Sequence, residues 1–249
     1  QTWHIRNTES GEDLPDAITW SKFSGAAWLP NASGFFYARY DAPREGEEFQ
    51  GANYFQKLYL HKLGTEQDAD TLVYERPDQK EWGFGAQMTE DGHYLIINVW
   101  QGTDVRNRIF YRDLQGGAVV ELIGDLEAAY HFVGNEGSIF YFRTDLSAPR
   151  GRLVAIDTAS PEHQQWRTII PETEQVLESV RLVNHQFIAV IIHDAHHEIH
   201  RFGLEGSCLG EVLLPALGTV VSNFESVVSG WRGDQEFFFG FTSFLFPLT

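Results

Sequence analysis

The sequence predicts an all-β fold, and three observations carry that prediction. Long helical patterns are nearly absent. Short runs rich in Phe, Tyr, Val and Ile recur between clusters of Gly, Pro, Asn and Asp, as strands do between turns. These runs also return at a regular spacing, which makes the fold a repeat.

The repeat is clearest in one column of segments: GFFYARY (34–40), GHYLIINVW (92–100), GSIFYFRT (137–144), HQFIAVIIH (185–193) and QEFFFGFTS (235–243). Anchored on Phe36, Tyr94, Ile139, Phe187 and Phe237, the steps are 58, 45, 48 and 50 residues. A second column follows, with KLYLHKL (57–63), RIFYRDL (108–114), RLVAIDT (152–158) and EIHRFGL (198–204), and the opening WHIRNT (3–8) fits it. A weaker third column holds LVYERP (72–77), VVELIG (119–124), WRTIIP (166–171) and EVLLPA (211–216). The segments AAWLP, FGAQM, AAYHFVG and SVRLVN precede the first column, so each unit holds four strands.

Four-stranded units recurring in this way predict a β-propeller. Each blade is covered by a neighbour on both faces, which explains strands such as FIAVII that are apolar without alternation. The predicted organisation is a single partial propeller over 1–249, with four whole blades at 23–77, 84–124, 128–171 and 178–216. A half-blade at 1–20 supplies a third and a fourth strand, and a half-blade at 226–249 supplies a first and a second strand at 226–243. These halves are complementary and raise the possibility of one composite blade. A ring turning about 51° per blade would then have to turn about 72°, which opposes closure.

Composition narrows the function. Hydrophobic residues make up 43% and aromatic residues 14%, with 19 Phe, enough for a substantial core. The formal net charge of −17 argues against nucleic acid and anionic membrane surfaces as partners. Cys208 is the one cysteine, so no internal disulfide forms, and a cytoplasmic location is expected, with the periplasm as alternative. No apolar run approaches the roughly 20 residues of a membrane helix. The chain opens QTWHIR without an initiator Met, which fits a missing upstream segment.

Chemical motifs are sparse. HDAHHEIH (193–200) holds four of the ten histidines. The repeat places His193 at the end of a strand, His196 and His197 in a turn and His200 in the next strand. Turn side chains need not converge, so no metal site is expected there, and HExxH is not matched. GxSxG, GxxxxGKS and GxGxxG are absent, and WGFGAQ (82–87) leads into a strand rather than a helix. NAS (31–33) reads as a turn, and Glu90–Asp91 sit in the turn TEDGHY. No catalytic residue and no cofactor are assigned.

Detailed wording adds a family. DLPDAITWSKFSGAAW, GFFYARY, the run from QKLYLHKL to RIFYRDL, NEGSIFYFRTDLSAPRGRLVAID, VLESVRLV with its HD turn, and FFFGFTSFLFP resemble the propeller of prolyl oligopeptidases along the whole chain. The resemblance implies a seven-bladed propeller capping an α/β-hydrolase domain with a Ser-Asp-His triad, which cleaves short peptides after proline. This chain would then run from the second blade into the seventh, with the hydrolase domain outside it and no peptidase activity of its own. The implied partners are short proline-containing peptides and the hydrolase domain.

The resemblance also implies a distal substrate pocket. Phe23 stands where the family carries an aromatic pocket residue, with ordinary blade packing as its other reading. Gly83 and Thr103 stand where the family uses Met and Cys, so the lining differs, and Trp100 is expected to fill the space they leave. The leading functional reading is a noncatalytic gating propeller of such a serine peptidase. The alternative is a stand-alone propeller scaffold binding a peptide or protein.

Overall fold

A computed structural model of the chain describes residues 2–43, 53–221 and 228–245. Residues 44–52 of the predicted 23–77 blade, and 226–227 and 246–249 of the last half-blade, lie outside the described residues. The chain divides into two compact units, Gln1–Leu126 and Glu127–Thr249. Among the described residues, helix is confined to two single 3-10 turns, Gln67–Ala69 and His163–Gln165, and no helix is long and apolar enough to cross a membrane.

The first unit opens with an antiparallel pair, β1 (Thr2–Arg6) and β2 (Asp13–Thr19). A four-stranded sheet follows, in the order β3 (Ala27–Trp28), β4 (Gly34–Arg39), β5 (Lys57–Lys62) and β6 (Thr71–Tyr74). A second contains β7 (Trp82–Met88), β8 (Tyr94–Gln101), β9 (Arg108–Asp113) and β10 (Val120–Ile123). In the second unit, β11 (Tyr130–Glu136), β12 (Ile139–Thr144), β13 (Arg152–Asp157) and β14 (Arg167–Ile170) form one such sheet. Another is formed by β15 (Val176–Val183), β16 (Gln186–His193), β17 (His196–Gly203) and β18 (Cys208–Val212). The pair β19 (Thr219–Val221) and β20 (Gly240–Thr242) ends the series.

Strand β4 shows why these segments are apolar on both faces. Phe35 and Tyr37 pack with Ile5 and Ile18 of the opening pair, whereas Phe36 and Ala38 pack with Leu95, Ile97 and Val99 of the next sheet. Successive side chains of a strand leave on opposite faces, so each alternate set meets a different neighbour. Strand β16 repeats the arrangement in the second unit: Phe187, Ala189 and Ile191 join Tyr141 and Leu153, and Ile188 and Val190 join Val220 and Val228.

Two strands lie earlier than the sequence suggests. The fourth strand of the β15–β18 sheet is Cys208–Val212 rather than 211–216. Gly206, at φ 86°, closes a tight turn directly after β17, and a Cβ there would overlap the Ile169 carbonyl. The last pair begins at Thr219 rather than 226, with Val220 opposite Phe241 and a bridge from Ser229 to Phe238. His197 accounts for the shift. Its N–H donates to the Gly218 carbonyl at 2.9 Å, and its Nδ1 accepts the Val220 N–H at 2.9 Å.

A polar lock ties the opening pair to the first four-stranded sheet. His61 of β5 is fully buried, with Nε2 2.9 Å from Asp16 Oδ1 and Nδ1 2.7 Å from Asp70 Oδ1. Tyr37 donates its hydroxyl to Asp70 Oδ2 at 2.6 Å, and Gly64 N–H donates to Asp16 Oδ1 at 2.6 Å. Burial pushes the Asp16 carboxyl up, but the His61 ring and the Gly64 N–H outweigh it and hold the group below the usual carboxylate range.

Phe187→Ala is expected to cost about 3–5 kcal/mol, read as a fall in the urea midpoint, because the ring is fully buried and meets Tyr141 edge-on at 4.9 Å. For Asp16, a depressed native pKa means that its contribution is complete above the unfolded value of about 3.9 and is lost as pH falls through the native value. Asp16→Asn should therefore lower the urea midpoint near neutrality and flatten its decline below about pH 4 relative to the parent chain.

Candidate functional site

The loop between β2 and β3 carries Phe23. Its neighbours are held down by hydrogen bonds: Ser21, fully buried, donates its hydroxyl to the Ala38 carbonyl at 3.0 Å, and Ser24 Oγ accepts the Ala38 N–H at 2.8 Å. Between these anchors Phe23 takes φ 56°, left-handed backbone that costs a residue with a Cβ about 1–2 kcal/mol. The residue stands 68% exposed, unlike the buried aromatics that fill the space between blades.

Strands β7 and β8 bring the second aromatic. Gly83 pairs with Trp100 across the two strands, and a Cβ on Gly83 would overlap the Trp100 indole. The missing side chain therefore lets the indole lie flat against the β7 backbone. From there Trp100 meets Phe23 at a centroid distance of 6.2 Å and an interplanar angle of 80°, the edge-to-face arrangement that aromatic quadrupoles favour. The structure thus unites Phe23, Gly83 and Trp100. Thr103 lies three residues past Trp100, exposed in the turn that follows β8.

Gln56, buried just before β5, holds the two parts together. Its Nε2 donates to the Lys22 carbonyl at 2.9 Å, and its Oε1 accepts the Phe84 N–H at 2.6 Å. One side chain thus fixes the Phe23 loop to the strand that carries Gly83. Nothing in the local sequence marks Gln56, since its partners lie 34 and 28 residues away. Next to Gly83, the Arg76 and Arg108 guanidiniums lie over the Trp82 ring at 4.5 and 4.4 Å from its centroid, within cation–π range.

The histidine stretch corrects the sequence reading. Strand β17 begins at His196, so His196 and His197 are strand residues, and the turn is only Asp194–Ala195, both left-handed at φ 43° and 64°. A two-residue turn with positive φ at both positions is the tight hairpin link that matches strand twist. His197 points to the β19 side, where it bonds the Val220 N–H, while His193, His196 and Glu198 converge. The hydrogen bond that His193 donates to Glu198 raises the His193 pKa, and His193 and His200 together lower that of Glu198.

Within each unit, four-stranded antiparallel sheets packed on a common apolar cluster define the propeller class, and the sequence carries no nucleophile motif of the α/β-hydrolase kind. The model of the prolyl oligopeptidase N-terminal beta-propeller domain matches residues 1–249, and the chain belongs to that family. It is 28% identical over 246 residues to the prolyl endopeptidase of Elizabethkingia meningoseptica, covering 98% of this chain and 34% of the relative. With the prolyl endopeptidase of Dictyostelium discoideum it shares 30% identity, covering 83% of this chain and 30% of that one.

A chain from a structural and mechanistic analysis of two prolyl endopeptidases superposes with a TM-score of 0.89 and 33% identity, over 100% of this chain and 35% of the other. The apo prolyl oligopeptidase B of Galerina marginata gives a TM-score of 0.85 at 26% identity, over 99% and 35%. This chain spans about a third of the length of these relatives.

Gly83→Ala tests the packing. The added methyl is expected to dislodge the Trp100 indole at a cost of about 1–3 kcal/mol. In a chain labelled with 5-fluorotryptophan, the resonance that disappears in Trp100→Phe should shift in Gly83→Ala while the other six tryptophans hold theirs.

Proposed function

We propose that this chain is the noncatalytic gating propeller of a prolyl oligopeptidase-type serine endopeptidase that cleaves short peptides after proline. In this reading the triad belongs to a hydrolase domain encoded alongside the propeller, and the propeller limits access to it. Phe23, with Trp100, Gly83 and Thr103 beside it, lines the distal part of the substrate pocket. The carrying observation is the exposed Phe23 ring, held in left-handed backbone and braced edge-on by Trp100. An apolar residue or a proline ring of a bound peptide would lie against that edge-to-face pair, gaining contact area without ordering a flexible side chain.

The relatives support the substrate class. One solved structure is prolyl oligopeptidase B of Galerina marginata bound to a 35mer hydrolysis and macrocyclization substrate, and it superposes with a TM-score of 0.86 at 26% identity. The exposed free thiol of Cys208 suits a reducing compartment, and we place the protein in the cytoplasm.

The coding sequence around this chain tests the reading directly. An in-frame GxSxG within a few hundred codons after Thr249 supports it, and a stop codon straight after Thr249 overturns it. In the complete peptidase, Phe23→Ala is expected to raise KM for an apolar proline peptide about tenfold with kcat within about twofold, the pattern of lost uniform binding. An unchanged KM removes Phe23 from the pocket.

A further inference from the structure

The β16–β17 hairpin gathers more ligand chemistry than its packing uses. Pairing starts at His193 opposite His196 and continues with Ile191 opposite Glu198 and Ala189 opposite His200. Directly opposed residues share a face, so His193, His196, Glu198 and His200 all leave one side of the sheet. One ligand atom from each of His193, His196 and Glu198 lies within 4.8 Å of the other two. Glu198 is the hub. Its Oε1 lies 2.7 Å from His193 Nδ1 and 3.6 Å from His196 Nε2, and its Oε2 lies 2.8 Å from His200 Nε2.

We propose that His193, His196 and Glu198 form a binding site for a zinc-class divalent cation, oriented by His200 and open at a fourth position. Two imidazoles and a carboxylate are the donor set that zinc and its borderline neighbours take, whereas calcium and magnesium require a shell of oxygens. Bonds of about 2.0–2.1 Å in tetrahedral geometry place ligand atoms about 3.3 Å apart, and the two separations from Glu198 Oε1, 2.7 and 3.6 Å, bracket that value. On binding, the ion takes the place of the hydrogen between His193 Nδ1 and Glu198 Oε1; from a neutral imidazole that hydrogen moves to Nε2, and from an imidazolium it leaves to solvent.

His200 donates to the second carboxylate oxygen and so plays the outer-shell part that steers a ligand toward a metal. Entry is open as well. The side chains of His193, His196 and Glu198 are 41%, 22% and 19% exposed, and His193 also lines a cleft of about 590 Å³ with Arg150, Thr173 and Asp194. An ion here cross-links both strands of the hairpin next to its strained turn. The folded hairpin places the three ligands together, so the ion binds the folded chain more tightly than the unfolded one and stabilises the fold.

Calorimetric titration of the whole chain with zinc chloride at about pH 7.5 tests this. One ion per chain is expected, with a higher thermal midpoint in zinc and no heat from magnesium. The double variant His193→Ala/His196→Ala should weaken zinc binding at least about 100-fold, and His200→Gln about tenfold. Glu198→Gln keeps the side-chain shape and should also bind at least about tenfold more weakly, which separates ligand loss from misfolding. His163→Ala, a surface change elsewhere, should leave affinity unaltered. Zinc affinity unchanged in the double variant and in Glu198→Gln, or lost equally in His163→Ala, overturns the proposal.

Discussion

Strands β4 and β16 are apolar on both faces, and a sheet built around such a strand cannot bury both faces alone. That constraint organises both units. In the first, β4 sends Phe35 and Tyr37 one way and Phe36 and Ala38 the other; in the second, β16 does the same with Phe187 and Ile188 and their successors. A blade is therefore stable only within a stack, as in other repeat folds. The opening pair β1–β2 has just two strands of apolar surface to offer, and there a polar device supplements packing. His61, between Asp16 and Asp70, ties the pair to the next sheet through buried hydrogen bonds from both ring nitrogens.

The same stack positions the aromatic cluster. Ser21 and Ser24 bind both backbone groups of Ala38, a residue fixed in the apolar interior, so the loop inherits the rigidity of β4. Gln56 passes that rigidity to β7 by holding Lys22 and Phe84 at once. Phe23 and Trp100 meet because two sheets are packed, and the hydrogen bonds set the angle at which they do so. A site built on strands and pinned loops holds its geometry better than one on free loops.

What was legible in the sequence follows from what has a local signature. Strand order and the blade repeat were readable because continuous apolar runs and turn residues announce themselves over a few positions. Phe23, Gly83 and Trp100 were readable as a group only through resemblance to a family. The reason for Gly83, room for an indole, emerges only from the Gly83–Trp100 register. Gln56 and the His61 lock were invisible, since Asp16 and His61 are 45 residues apart and each reads as an ordinary polar residue. The histidine hairpin is obscured for a different reason. Asp-Ala lacks the Asn-Gly or Asp-Gly pattern of a two-residue turn, so the sequence marks neither the end of the turn nor the face that four side chains share.

Two departures from backbone preference connect these parts. Phe23 and Ala195 both adopt left-handed φ, although neither gains what glycine gains there, and each adds about 1–2 kcal/mol of cost. At Ala195 the conformation forces the tightest possible return, which aligns His193 with His196 and brings Glu198 onto their face. At Phe23 it turns a ring away from a core that takes in Phe35, Phe36 and Tyr37. In both cases glycine would relieve the strain and would keep the turn. At position 23 it would delete the projecting ring, whereas at 195 it would loosen the unfolded and folded chain alike without touching a ligand. The strain at Phe23 is therefore bound to its side chain, and the strain at Ala195 to the register it imposes.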